Sequence, residues 1–415
     1  MIYQNAGKRQ RLEHLNIKSF YFLVGFAVIT LFLNGCNKSP ADMYSLGVQS
    51  EQGKGVSQDY AKAREWYQKA ADAGDANAMT NLGVLYEKGQ GVAQDYGKAR
   101  EWLEKAADTG NALAMYNVGV LYQNGLGVAQ DYGKAHEWYE KAIAVGSANA
   151  MFNLGVFYQN GLGVVQDYGK AREWYQEAAA AGNPSAMNNL GFIYNNGQGV
   201  AQDHSKAREW YQKAADAGDA GAMYNLGVQC EHGQGGSQDY AKALEWYQKA
   251  ADAGNALAMY NLGVLYNNGV GVAQDYGKAC EWYQRAADAG NPSAMDNLGL
   301  LYNNGQGVAQ DHSKAREWYQ KAADAGNTYA MNNLGSLYDH GQGVARDYSQ
   351  GREWYEKTAA GGNAAAMYNL GTLYEKGRGV ARDYAIAREW YQKAADNGDA
   401  DAKQKLLTLD PTQRH

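Results

Sequence analysis

The chain is poor in several residue types, and each shortage removes a protein class. Proline occurs only 4 times in 415 residues, which excludes a proline-rich linker or stalk. Glycine reaches 51, but without matching proline a collagen-like chain is excluded as well. There are three cysteines, Cys36, Cys230 and Cys280, too few for a disulfide framework, and Cys230 and Cys280 are expected to be unpaired. Positive charge is scarce. The net charge is −6, and residues 1–36, with Lys8, Arg9, Arg11 and Lys18 against Glu13, leave −9 for the remainder. An acidic body without a basic stripe argues against a nucleic-acid partner.

Catalytic signatures are missing too. There is no Gly-x-x-x-x-Gly-Lys-Ser/Thr loop, no Ser-x-x-Lys and no Gly-x-Ser-x-Gly. His14, His136, His204, His232, His312, His340 and His415 show no metal-ligand spacing. Asp and Glu recur in every segment, as caps and solvated faces do, whereas an enzyme needs one asymmetric constellation. The expectation is no enzyme, no cofactor and no metal.

What is present is a period. The ten tryptophans are Trp66, Trp102, Trp138, Trp174, Trp210, Trp246, Trp282, Trp318, Trp354 and Trp390, each 36 residues from the next. Methionines from Met43 to Met367, aspartates from Asp59 to Asp383 and glycines from Gly47 to Gly371 keep the same step. Ten units therefore fill residues 43–402 without an insertion. We number them by their tryptophans, so that unit 1 carries Trp66 and unit 10 carries Trp390.

Each unit reads as two helices. In unit 2, Ala78, Leu82, Leu85 and Tyr86 follow helical spacing, and Gly89-Gln90-Gly91 ends the run. Asp95 caps a second helix with the apolar set Tyr96, Ala99, Trp102, Leu103, Ala106 and Ala107, and Gly110 stops it. Asn111 caps the next first helix. In Asn183-Pro184 and Asn291-Pro292 the cap is followed by proline, a specific start signal. Ser39-Pro40 stands in the same register. At the far end, residues 403–415 begin an eleventh first helix in which Lys403 replaces the methionine, and Asp410-Pro411 stops it. A polar-faced terminal helix suits the open end of an array.

The unit from Ala258 to Gly290 closely resembles the Sel-1-like repeat, a relative of the tetratricopeptide repeat with a longer inter-helix loop. The shared elements are Leu-Gly-x-x-Tyr, Gly-x-Gly-Val, Asp-Tyr, Lys-Ala, Trp-Tyr and Ala-Ala-x-x-Gly. The resemblance covers all ten units. It implies an all-α, right-handed α-solenoid of ten 36-residue helix-turn-helix repeats that holds other proteins together. An enzyme of the penicillin-hydrolysing type, found among cysteine-rich relatives, is disfavoured by the missing paired cysteines and serine motif.

The N-terminus is an address. A basic segment precedes the apolar run FYFLVGFAVITLFL, Phe20 to Leu33, and Leu33-Asn34-Gly35-Cys36 follows. This ending resembles the lipobox of bacterial lipoproteins, which implies removal of residues 1–35 and lipidation of Cys36. An uncleaved anchor helix between Lys18 and Lys38 is the alternative. Either exports the body. Asn37 is not the aspartate that holds such lipoproteins at the inner membrane, so the resemblance implies an outer-membrane protein facing the periplasm. It also leaves a carbohydrate-associated role open, in polysaccharide export or wall-glycan binding.

Two rows on the first helix are candidate binding positions. Asparagine, a poor helix-interior residue, recurs at Asn81, Asn117, Asn153, Asn189, Asn225, Asn261, Asn297, Asn333 and Asn369. In tetratricopeptide relatives the first helix lines the concave face, where such an amide bonds a peptide backbone. The alternative is a hydrogen bond between units. Just before it lies a variable position: Tyr44, Thr80, Tyr116, Phe152, Asn188, Tyr224, Tyr260, Asp296, Asn332 and Tyr368. Variation in a monotonous array suggests exposure, and exposed aromatics favour interfaces. The partner-binding set is therefore Tyr116, Asn117, Phe152, Asn153, Tyr224, Asn225, Tyr260, Asn261, Tyr368 and Asn369, for a protein or peptide, or for a glycan. The Trp and Met ladders read as core.

Overall fold

The computed structural model describes residues 38–409, which leaves Cys36, the segment before it and Asp410-Pro411 outside the described residues. Among the described residues there are 21 helices and no strand. The chain divides into two compact bodies, one ending at Asn183 and the other beginning at Pro184. Each is a row of helix pairs in which a helix packs against the one before it and the one after it. The architecture is an all-α solenoid of paired helices.

Local chemistry sets each boundary. In unit 2 the first helix is Ala76–Lys88 and the second Tyr96–Asp108. Asp75 and Asp95 cap them, each side chain accepting the backbone N–H three residues on, from Ala78 at 2.8 Å and from Lys98 at 3.0 Å. Gly89 ends the first helix at φ 66°, a left-handed conformation that glycine adopts without strain. The seven residues between the helices are braced by Gln94, whose amide donates to the Glu87 carbonyl at 2.8 Å and to the Tyr96 hydroxyl at 2.9 Å. At the N-terminus Ser39 and Asp42 form a reciprocal capping box ahead of Pro40–Gln52. At the other end Ala400–Thr408 buries Ala402 and ties Lys405 to Glu375 at 2.8 Å, closing the row with a largely polar helix.

The core corrects one expectation. The tryptophans are half-buried in all ten units, not core. The fully buried ladder is the next residue: Tyr67, Leu103, Tyr139, Tyr175, Tyr211, Tyr247, Tyr283, Tyr319, Tyr355 and Tyr391. Helical phase explains it. Ala63, Tyr67, Ala70 and Ala71 stand at i, i+4, i+7 and i+8 and point inward together, while Trp66 sits at their edge. Trp102 reaches back to close the Ala63–Leu85 cluster of the units around it. The tryptophan is thus a seam between units, half-buried at the edge of the core. Of the ten methionines in the repeats, Met259 and Met367 are buried and the other eight are half-buried.

The glycine of Leu-Gly-x-x-Tyr is where the two helices meet. A Cβ on Gly155 would lie 2.5 Å from the Tyr175 ring, so only glycine allows this approach. Cys230 and Cys280 are free, as the sequence indicates.

Candidate functional site

The first helices carry the candidate face. Residues at the variable position, four later and seven later share one side of a helix. The first row holds the aromatics. None of its members is exposed as their variability suggests: Thr80 and Asp296 are buried, and the others are half-buried. Each aromatic leans on the buried tyrosine of its own unit's second helix. Centroid distances are 5.8 Å for Tyr116–Tyr139, 5.7 Å for Phe152–Tyr175 and for Tyr224–Tyr247, 5.9 Å for Tyr260–Tyr283 and 5.3 Å for Tyr368–Tyr391.

Four members of the asparagine row, Asn153, Asn225, Asn333 and Asn369, bond across to the preceding unit. Asn153 donates to the Tyr139 hydroxyl of the preceding unit at 2.9 Å. Asn225 donates to Asn188 at 2.9 Å and Asn369 to Asn332 at 3.1 Å. Asn153, Asn225 and Asn369 thus reach back to residues of the preceding unit, and none of these bonds joins two of the predicted site residues. An amide has two donor hydrogens and an acceptor, so one bond does not exhaust it. Asn117 differs. At the two places where its equivalents bond stand Thr80, whose hydroxyl donates to the Ala76 carbonyl at 2.8 Å, and Leu103, which has no hydroxyl.

A third row was missed in the sequence. Four residues after the variable position stand Val48, Val84, Val120, Val156, Phe192, Val228, Val264 and Leu300, all half-buried or exposed. Phe192 is 42% exposed and Leu300 36%. An apolar residue kept at a part-exposed helix position in eight consecutive units was the available signal.

The fourth row closes the face with carboxylates and amides. Burial drives up the pKa of Tyr67, Tyr247 and Tyr391, and carboxylate neighbours add to it. Their hydroxyls donate to Glu51 at 2.5 Å, Glu231 at 2.5 Å and Glu375 at 2.6 Å. Tyr139 and Tyr175 donate to Gln123 and Gln159, each at 2.7 Å. Asp296 is the buried acid of the variable row. Burial raises its pKa to about 6, and the amide of Asn333 in the next unit donates to it at 3.0 Å. Among the described residues no group of three or more His, Cys, Asp and Glu could hold a metal, and no helix is long and apolar enough to cross a membrane.

The fold and this face define a helical-repeat array. A sequence model of the Sel1 repeat matches ten consecutive segments from 40–75 to 364–399, so the chain belongs to the Sel1 repeat family. Its arrays act in general as scaffolds for protein–protein interaction and are typically non-enzymatic. Among solved structures, the chain is 36% identical to c5321, a protective antigen of uropathogenic Escherichia coli displaying an SLR fold. That match covers 89% of this chain and 83% of the other, with a TM-score of 0.61. A Sel1 repeat protein from Oxalobacter formigenes is 32% identical over 75% of this chain and 91% of its own, with a TM-score of 0.58. No curated protein matches the chain.

Proposed function

We propose that this chain is an exported, membrane-anchored scaffold that binds a protein or peptide segment along the face of its first helices. The observation that carries the reading is the half-exposed aliphatic row beside the aromatic row, flanked by side-chain amides. An extended peptide needs apolar contact for its side chains and hydrogen-bonding groups for its backbone. Asn117, which meets Thr80 and Leu103 where its equivalents find hydrogen-bonding partners, keeps its amide available. Export and anchoring rest on the N-terminal apolar run and Cys36, a lipidation site by its resemblance to a lipobox. The same rows of tyrosine and paired amides, such as Asn267 bonded to Asn268 at 2.9 Å, also suit a glycan in polysaccharide export or wall binding.

Photo-crosslinking residues placed at Val120 and Val264 in cells should capture a protein, while the same groups at Glu137 and Glu281 on the exposed second-helix surface should not. Capture only from the second-helix positions would overturn the peptide reading, and capture of glycan at Val120 would favour the alternative. Cys36→Ala should abolish fatty-acid labelling and release the chain from membranes; persistent labelling would refute the lipobox.

A further inference from the structure

Unit 4 departs from its copies at one place on the second helix. In nine of the ten units a cation of the chain itself lies over the tryptophan ring, three residues further along. The distances to the ring centroid run from 3.9 Å for Lys141 over Trp138 to 4.7 Å for Lys69 over Trp66. Eight of these cations are lysines, and Arg285 covers Trp282 at 4.3 Å. Unit 4 has Glu177 at that position. Among the described residues Trp174 is the one tryptophan without a cation over its ring. It is packed into the fold as its equivalents are, against the Ala135–Phe157 cluster, so its orientation is fixed. Glu177 is exposed beside it.

We infer that Trp174 and Glu177 form a docking point for a lysine or arginine side chain of a protein partner. The chemistry is displayed by the other units. The indole face attracts an ammonium or guanidinium through its quadrupole, and nine units show such a group seated there. In unit 4 the chain withholds its own cation and puts a carboxylate at the same helical position, which reinforces the attraction for an incoming one. This point lies on the second helix and is independent of the first-helix face proposed above.

Fluorine NMR of the full chain labelled with 5-fluorotryptophan tests it, with Trp174→Phe to assign the resonance. N-acetyl-lysine methylamide should shift the Trp174 signal by about threefold or more beyond any other tryptophan, because the other rings are already covered. The norleucine analogue should not. Glu177→Lys restores the arrangement of the other units and should abolish the response while leaving the helical circular dichroism unchanged. Equal shifts at all ten tryptophans, a response that survives Glu177→Lys, or a Trp174 response to an oligosaccharide but not to the lysine probe would each overturn the inference.

Discussion

The close approach of the two helices makes one substitution behave oppositely at two glycines. Gly155 stands against Tyr175, which is fully buried, leans on Phe152 at 5.7 Å and donates its hydroxyl to Gln159 at 2.7 Å. The ring cannot yield, so a Cβ 2.5 Å away forces backbone movement. Overpacking of this kind costs about 1–3 kcal/mol, and the helix propensity gained by alanine returns only about 1 kcal/mol. Gly97, near the start of a second helix, meets only the Asp95 carboxylate at 3.3 Å, and units 1 and 6 carry Ala61 and Ala241 there. Gly97→Ala should therefore stabilise by about 0.5–1 kcal/mol, while Gly155→Ala should cost up to about 2 kcal/mol net. Gly83→Ala belongs between them, since its Cβ meets Leu103 Cγ at 2.8 Å and a leucine can change rotamer. Repeat arrays open locally rather than all at once, so native-state hydrogen exchange is the assay. Gly155→Ala should accelerate exchange in unit 4 and its neighbours and leave units 8 to 10 unchanged. Protection in unit 4 equal to that of the parent would refute the helix-contact argument, and a Gly97→Ala variant as destabilised as Gly155→Ala would refute the assignment to the tyrosine ring.

Two further outcomes follow from the polar groups. Asp296→Asn copies the asparagine found at Asn188 and Asn332, and should stabilise the chain at pH 7.5. Burial holds the folded-state pKa at about 6, above the usual carboxylate range, so the folded state binds more protons than the unfolded chain in this window, and stability present at low pH is lost as pH rises through 6. The gain, up to about 3 kcal/mol at full burial, should vanish below pH 4; a denaturation midpoint difference independent of pH would refute it. Tyr247→Phe removes the donor to Glu231 and should cost about 1.5–3 kcal/mol by urea denaturation, whereas Tyr211→Phe, where no carboxylate is lost, should stay within about 0.5 kcal/mol.

Much of the fold was legible because its signals are local. Asp95, Gly89 and Asn111 act through bonds to residues three or four positions away, so caps and helix limits follow from spacing alone. The core was legible less well. Trp102 and Leu103 are adjacent and both recur with the period, and the period cannot say which turns inward. The phase could: Ala99, Leu103, Ala106 and Ala107 form one stripe, and replacement of tyrosine by leucine at 103 is the exchange an interior position accepts. The asparagine row stayed ambiguous for a different reason. Asn225 bonds Asn188 across 37 residues, one more than the period, and no within-unit pattern reveals a bond that crosses to the next copy.

In an array of near-copies, the shared residues answer to packing, and specificity must come from departures. These departures divide by what surrounds them. Gln229 is buried in place of an aliphatic residue, but Arg208 donates to it at 3.4 Å and to the Gln234 carbonyl at 2.9 Å, and its own amide reaches Asn195 at 3.3 Å. Gly236, standing where the other units have valine, leaves the room that guanidinium occupies, since a Cβ there would lie 2.9 Å from Arg208. That change is compensated within the fold and asks for no ligand. Leu103 keeps the core full, yet it deprives Glu87 of the hydroxyl that Glu51 and Glu231 receive. Glu87 is half-buried, and burial raises its pKa. Glu177 removes a cation from Trp174 with no replacement. Leu103, with Asn117 and Glu87 on the neighbouring first helices, and Glu177 with Trp174 are departures that the fold does not compensate in this way. Partner contacts are therefore expected to include these positions, where the chain leaves its own groups unmatched.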